Sequence, residues 1–219
     1  MNQKKFKVAL VDDHGLLRDA LATLINTFEE FSVIASLPNG HELIKMLTDG
    51  MKPDLILLDL NMPVLDGFET ARFLFNSYPE INILILTMYD SEIALIRLLQ
   101  VGVKGFLKKD THPIELRAAL NAVAEKGFYY SHDTTGKLAN LFQKDPNDNS
   151  LIQRSMLSEK ELEFLRLAST DLTYKEIAAA LKITPRTIDG YRDALFDKLD
   201  VKSRVGLAIY AVKNGIVTF

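Results

Sequence analysis

The chain has 219 residues, of which 47% are hydrophobic and 25% charged, with no cysteine and a net charge of −3. That length allows one large domain or two small ones. The lack of cysteine excludes disulfides, zinc–thiolate sites, iron–sulfur clusters and thiol nucleophiles, and it agrees with a reducing compartment. No apolar run approaches the ~18 residues of a membrane span, and the stretch Met1 to Lys7 lacks the basic-then-apolar layout of a signal peptide. The expectation is a cytoplasmic protein with no membrane partner. Residues 1–130 carry a net −4, residues 131–154 are neutral and residues 155–219 carry +1, so bulk charge makes no case for nucleic acid.

In chain order, apolar runs at Phe6–Val11, Phe31–Leu37, Leu55–Leu58, Ile81–Leu86 and Gly105–Leu107 read as five strands. Three are continuously apolar, as in a parallel sheet covered on both faces. Helix-length segments near 15–28, 40–50, 66–77, 91–101 and 112–126 alternate with them. Strict alternation predicts a doubly wound five-stranded parallel sheet (flavodoxin-like) that carries its chemistry at the carboxyl ends of the strands. After Tyr130 the pattern lapses. Residues 129–154 read as a linker, with a short helix over Asp133–Gln143 and turn-forming sequence at Asp145–Ser150.

From Met156 the pattern is wholly helical. Ser158 with Glu161, and Thr173 with Glu176, are capping boxes. Thr184 followed by Pro185 starts a third helix, and a fourth is expected over 202–213, ending at Asn214-Gly215. This is a four-helix bundle. The turn Leu181-Lys182-Ile183-Thr184 joins Thr173–Leu181 to about Pro185–Leu199 at the spacing of a helix-turn-helix. Ile188, Tyr191, Leu195 and Leu199 should pack inward. The opposite face shows Arg186, Asp189, Gly190, Asp193 and Asp197.

What collects at the strand ends is specific. The first strand ends in Asp12-Asp13, the third in Asp59, the fourth in Thr87, and Lys108-Lys109 follow the fifth. Singly, an aspartate here is ordinarily a cap and a threonine ordinarily satisfied structure. Jointly, three converging carboxylates repel one another, raise some of their pKa values and favour a divalent cation with oxygen ligands, of which Mg²⁺ is the natural occupant. A carboxylate beside such an ion can attack phosphorus while the metal and a lysine neutralise developing charge. Thr87 could then hydrogen-bond the product.

The segments VDDH (11–14), LILLDLNMPVLDG (55–67), LILTM (84–88) and GVKGFLKKD (102–110) resemble the receiver domain of two-component response regulators. The resemblance covers residues 1–128 and implies that a sensor histidine kinase phosphorylates Asp59. It also implies that Asp13, Asp59 and the Asn61 carbonyl hold Mg²⁺ with help from Asp12. Lys109 rather than Lys108 is the family lysine, and Thr87 and Phe106 are the switch residues, Phe106 rotating into space that Thr87 vacates. Met88 departs from the small residue frequent there and should affect phosphate access.

The segment 157–204 carries L-S-x-x-E-x-x-x-L, T-x-K-E-I-A, L-x-I-T-x-R-T-I and K-L-x-V-K-S-R. Residues 155–219 thereby resemble the LuxR-type helix-turn-helix of the NarL/FixJ class. The resemblance implies a phosphorylation-dependent homodimer that binds DNA in the major groove, with the last helix in the dimer contact. The DNA-facing candidates are Thr173, Lys175, Thr184, Arg186, Thr187, Asp189, Gly190, Arg192, Asp193, Lys198 and Lys202. Asp189 and Asp193 stand where the family often has basic residues. An aspartate can accept from the cytosine N4 amine, or it can pair with Arg186 or Arg192. Gly190 leaves room for close backbone approach.

The expectation is a transcriptional regulator of a bacterial two-component system and not an enzyme. The chain has no Walker loop, no G-x-G-x-x-G and no second catalytic aspartate two residues after Asp59. The alternatives are a phosphorylation-independent DNA binder that uses its receiver only to dimerise, and an adaptor that has lost DNA affinity.

Overall fold

The structure is a computed structural model that describes residues 5–88, 92–131, 135–136 and 157–217. The elements run β1 (Phe6–Val11), α1 (Gly15–Asn26), β2 (Phe31–Leu37), α2 (Gly40–Thr48), β3 (Leu55–Asp59), α3 (Gly67–Ser77), β4 (Asn82–Thr87), α4 (Glu92–Gln100), β5 (Gly105–Lys108) and α5 (Pro113–Lys126). The C-terminal helices are α6 (Glu159–Ala168), α7 (Tyr174–Ala180), α8 (Pro185–Leu199) and α9 (Arg204–Lys213). The sheet with most of its helices forms one compact unit and the four C-terminal helices lie in another. Of the short helix expected over 133–143 only Thr135 and Gly136 are described, both helical, and the rest of the expected linker beyond 129–131 falls outside the described residues.

The strand order is β2-β1-β3-β4-β5, every pair parallel. The chain crosses to one side after β1 and to the other for β3, so the switch point lies between β1 and β3. Both faces are covered. Val8, Leu10, Leu55, Leu57, Leu84, Leu86 and Leu107 form one core with Ile25 of α1 and with Leu116, Leu120 and Val123 of α5. The alternate residues Ala9, Val11, Ile56, Leu58, Ile83, Ile85 and Phe106 are buried as well. That is why these strands read as apolar runs rather than as alternation.

Three strands differ from the sequence expectation by one residue at an end. β3 takes in Asp59, β5 takes in Lys108, and β4 runs Asn82–Thr87 rather than 81–86. Asp59 and Thr87 thus stay in the ladder to the sheet's edge. The last helix begins at Arg204 rather than at 202 because the Ser203 side chain caps it, accepting from Gly206 N at 3.0 Å.

The connection from β3 to α3 folds back on the strand end. Val64 takes a left-handed φ of 72°, Asp66 caps α3 through Glu69 N at 2.9 Å, and Gly67 N donates to Leu60 O at 2.9 Å. A Cβ on Gly67 would lie 2.2 Å from Asp59 O and 2.6 Å from Leu60 Cα. Those are backbone atoms and cannot swing aside. Gly67→Ala is therefore expected to destabilise the sheet unit by about 1–3 kcal/mol, read as a lower urea midpoint with an unchanged slope. An unchanged midpoint would mean that the β3–α3 loop is not held as tightly as its contacts indicate.

Candidate functional site

Strand register brings the site together. Val11 pairs with Leu58, Asp59 with Leu86, and Thr87 with Lys108. The residues just beyond β1 and β5, Asp12 and Lys109, therefore flank Asp59 at the end of β3. Asp12 N donates to Leu37 O at 3.1 Å and Lys109 N to Thr87 O at 3.0 Å, which fixes both backbones.

Lys109 Nζ lies 2.8 Å from Asp59 Oδ2 and 2.9 Å from Asp12 Oδ2. All three side chains are buried, at 9%, 2% and 5% exposure. The ammonium meets both oxygens at ion-pair distance. Asp13 stands at the rim, one third exposed. Lys108 is exposed, so it is Lys109 that the fold brings to the carboxylates. Burial pushes the Asp59 carboxyl above its ordinary range; Lys109 and the Asn61 backbone N–H pull it back, and the charge of Asp12 pushes it up further. Carboxylate repulsion, expected from the sequence to raise the pKa, is thus secondary to burial. Burial also pulls Lys109 down, but the two aspartates outweigh it and its ammonium is held above the usual lysine range.

Oxygen ligands on Asp12, Asp13 and Asp59 lie within 4.8 Å of one another, together with a ring nitrogen of His14. When all are ionised, three carboxylates against one ammonium leave two uncompensated negative charges. Buried oxygens with spare lone pairs and a rim open to water fit a hard dication.

The remaining expected residues are less uniform. Thr87 and Phe106 are both buried, at 3% exposure. Phe106 packs on Tyr130, with ring centroids 5.7 Å apart. Met88 is 71% exposed. Sequence reasoning missed Arg18, whose guanidinium donates to Asp12 O at 2.5 Å and to Ser36 Oγ at 3.1 Å and so braces the Asp12 backbone. Its position one helical turn past His14 was the available signal. His14 was also missed as a neighbour of the carboxylates.

In the C-terminal unit, Phe164, Ile177, Ile188, Leu195, Leu199 and Leu207 form the core. Both expected capping boxes form. Arg186, Thr187, Asp189, Gly190, Asp193 and Asp197 are exposed along α8, and Lys175 and Lys202 are exposed beside it. The Thr173 and Thr184 hydroxyls serve as N-caps, accepting from Glu176 N at 3.3 Å and Thr187 N at 3.2 Å. Two expected phosphate cations are engaged within the unit. Arg192 bridges Asp189 at 2.9 Å and Asp193 at 2.8 Å over the Tyr174 ring, and Lys198 pairs with Glu161 at 2.9 Å. Arg204, also missed, lies over the same Tyr174 ring and donates to Ala168 O at 2.8 Å and Thr170 O at 2.6 Å.

The raised Asp59 carboxyl has a consequence for stability. It holds its proton more tightly folded than unfolded, so its effect on stability is most favourable at low pH and worsens as pH rises through the carboxylate range. Asp59→Asn is therefore expected to raise the urea midpoint at pH 7, with the gain shrinking as pH falls into that range. A loss of stability at pH 7 would mean that the Lys109 attraction outweighs the cost of burial.

Comparison with known proteins follows the same division. Residues 8–121 match the response regulator receiver domain, and residues 155–211 match the bacterial regulatory proteins of the luxR family. The chain is similar to the oxygen regulatory protein NreC of Staphylococcus haemolyticus, with 31% identity over 97% of this chain and 100% of that one. It is also similar to the transcriptional regulatory protein DegU of Brevibacillus brevis, with 28% identity over 99% of this chain and 97% of that one. Among solved structures, RcsB from Salmonella enterica serovar Typhimurium, bound to promoter P1flhDC in the presence of the phosphomimetic BeF3−, has the same fold. It aligns at 24% identity and a TM-score of 0.69 over 95% of this chain and 99% of that one. No helix among the described residues is long and apolar enough to cross a membrane. The chain belongs to the NarL/FixJ class of response regulators, the transcriptional regulators of two-component systems that join a receiver domain to a LuxR-type helix-turn-helix.

Proposed function

We propose that Asp59 is the phosphoacceptor and that its phosphorylation by a sensor histidine kinase drives homodimerisation and DNA binding. The observation that carries this reading is the register that sets Asp59 between Asp12 and Lys109 at the switch point of the sheet. A carboxylate oxygen of Asp59 attacks phosphorus, the P–N bond to the kinase imidazole breaks with its electron pair leaving on nitrogen, and an acyl phosphate forms. Asp12, Asp13, Asp59 and the Asn61 carbonyl would hold Mg²⁺, which when bound supplies positive charge to the phosphoryl oxygens. Lys109 already holds its ammonium at Asp59 and would follow the charge onto the phosphoryl group. Thr87, at the end of the neighbouring strand, would donate its hydroxyl to that group, and Phe106, against Tyr130, would relay the shift. The chain turns over no external substrate. The intact acidic site does not favour a receiver that serves dimerisation alone.

In the same reading residues 1–128 form the receiver, 129–154 the linker and 155–219 the DNA-binding domain. Helix α8 enters the major groove, presenting Arg186, Thr187, Asp189, Gly190 and Asp193, while Thr173, Lys175, Thr184 and Lys202 approach phosphates. Arg192 holds Asp189 and Asp193 in place, which keeps their outer oxygens able to accept from cytosine N4 amines. Lys198 joins the phosphate contacts by exchanging its Glu161 partner for DNA. Val205 and Ile209, 67% and 51% exposed one turn apart on α9, supply an apolar face for a second copy of the chain.

The test uses sedimentation and gel shift on genomic fragments, with and without Mg²⁺ and the phosphomimetic beryllofluoride. Self-association and DNA affinity should rise together, by about 5- to 150-fold. Val205→Lys with Ile209→Lys should abolish both gains. If beryllofluoride leaves self-association and DNA affinity unchanged, the proposed coupling is wrong.

A further inference from the structure

We propose that Arg18 is a positioning residue for the acidic site: it holds the Asp12 carbonyl, so that Asp12 stays beside Asp59 when Lys109 follows charge onto a phosphoryl group. The inference rests on the proposed function, in which Mg²⁺ binds among Asp12, Asp13 and Asp59.

The observation is how Asp12 is held apart from its lysine. Its N–H donates to Leu37 O at 3.1 Å, its Oδ1 accepts from His14 N at 2.8 Å, and its carbonyl accepts from Arg18 Nη1 at 2.5 Å. Arg18 Nε donates in turn to Ser36 Oγ at 3.1 Å, and Ser36 pairs with Leu10 in the register of β1 with β2. The guanidinium therefore ties the turn after β1 to the strand at the edge of the sheet. Helical side chains lean toward the N-terminus of their helix, so Arg18, near the start of α1, reaches back to that carbonyl.

Lys109 cannot supply this hold throughout the reaction. It serves Asp12 and Asp59 together, at 2.9 and 2.8 Å, and a phosphoryl group on Asp59 competes for its ammonium. A buried carboxylate that loses its counter-charge turns toward water where its backbone allows. The Arg18 brace acts on the main chain of Asp12 and is untouched by the exchange. Arg18 also carries a positive charge, and its two influences on a dication differ in sign. Charge alone repels the dication, so its removal would tighten Mg²⁺ binding. A brace keeps a ligand oriented, so its removal weakens Mg²⁺ binding.

The experiment is calorimetric titration of the full chain with Mg²⁺ in the wild type, Asp13→Ala, Arg18→Met and Ser36→Ala. A second readout is the intact mass after phosphoramidate treatment at a series of Mg²⁺ concentrations. Arg18→Met should weaken Mg²⁺ binding by about tenfold and raise the Mg²⁺ needed for half-maximal phosphorylation by a similar factor. The rate at saturating Mg²⁺ should recover to within about twofold. Ser36→Ala keeps the guanidinium and removes only its anchor, so it should shift both readings the same way by about two- to fivefold. In the double variant it should add little to Arg18→Met, because the two residues act through one contact. If Arg18→Met fails to fold, Ser36→Ala decides by the same two readings. Mg²⁺ affinity that is unchanged or tighter in both variants overturns the positioning role and leaves the cation site standing. A saturated rate that falls with no change in the Mg²⁺ requirement overturns it as well. If Mg²⁺ binds no more tightly to the wild type than to Asp13→Ala, the cation site itself falls, and the inference with it.

Discussion

Two carboxylates buried side by side would push the receiver apart, and one ammonium prevents it. Lys109 reaches Asp12 and Asp59 together, at 2.9 and 2.8 Å. Removing the lysine from such a buried group typically costs about 3–5 kcal/mol, because the two carboxylates are left uncompensated. The lysine nevertheless balances only part of the charge. With Asp13 ionised at the rim, the cluster retains a deficit that suits a dication and, in the proposed function, a phosphoryl group that arrives with its counter-charge. The site is stable enough to fold and unsatisfied enough to bind.

The sheet makes that arrangement possible without strain in the strands. Parallel register sets the ends of β1, β3, β4 and β5 in a row, so residues far apart in sequence become neighbours by extending each strand by one residue. A tight place beside the site is the return from β3 to α3, where Gly67 packs against the Asp59 carbonyl and no side chain fits. The glycine in the D-x-x-M-P-x-x-D-G element is therefore explained by a backbone approach of 2.2 Å to an added Cβ, and the aspartate before it by the cap of α3.

Much of this was legible in the sequence. Apolar runs and caps gave every described strand and helix to within a few residues, since buried parallel strands and capped helices have strong local signatures. Asp12, Asp13, Asp59 and Lys109 were legible because they end successive strands. What was not legible depends on side-chain direction. The acidic face of α8 looked unlike a DNA-binding surface, and only the fold shows Arg192 holding Asp189 and Asp193 over Tyr174. Lys198 read as an exposed cation, yet the bundle brings Glu161 from α6 to it. The packing of Phe106 on Tyr130 depends on a residue 24 positions later that no periodicity marks. His14 and Arg18 were passed over for the same reason, as ordinary polar residues at the start of α1.

The central claim is that the Asp12–Asp59–Lys109 arrangement makes Asp59 a nucleophile toward phosphorus. The most direct measurement is the intact mass of the full chain after incubation with acetyl phosphate or phosphoramidate, with and without Mg²⁺, comparing the wild type with Asp59→Ala. The account predicts one added phosphoryl group that requires Mg²⁺ and is absent from the variant. No added mass with either donor, or the same added mass in Asp59→Ala, would contradict it.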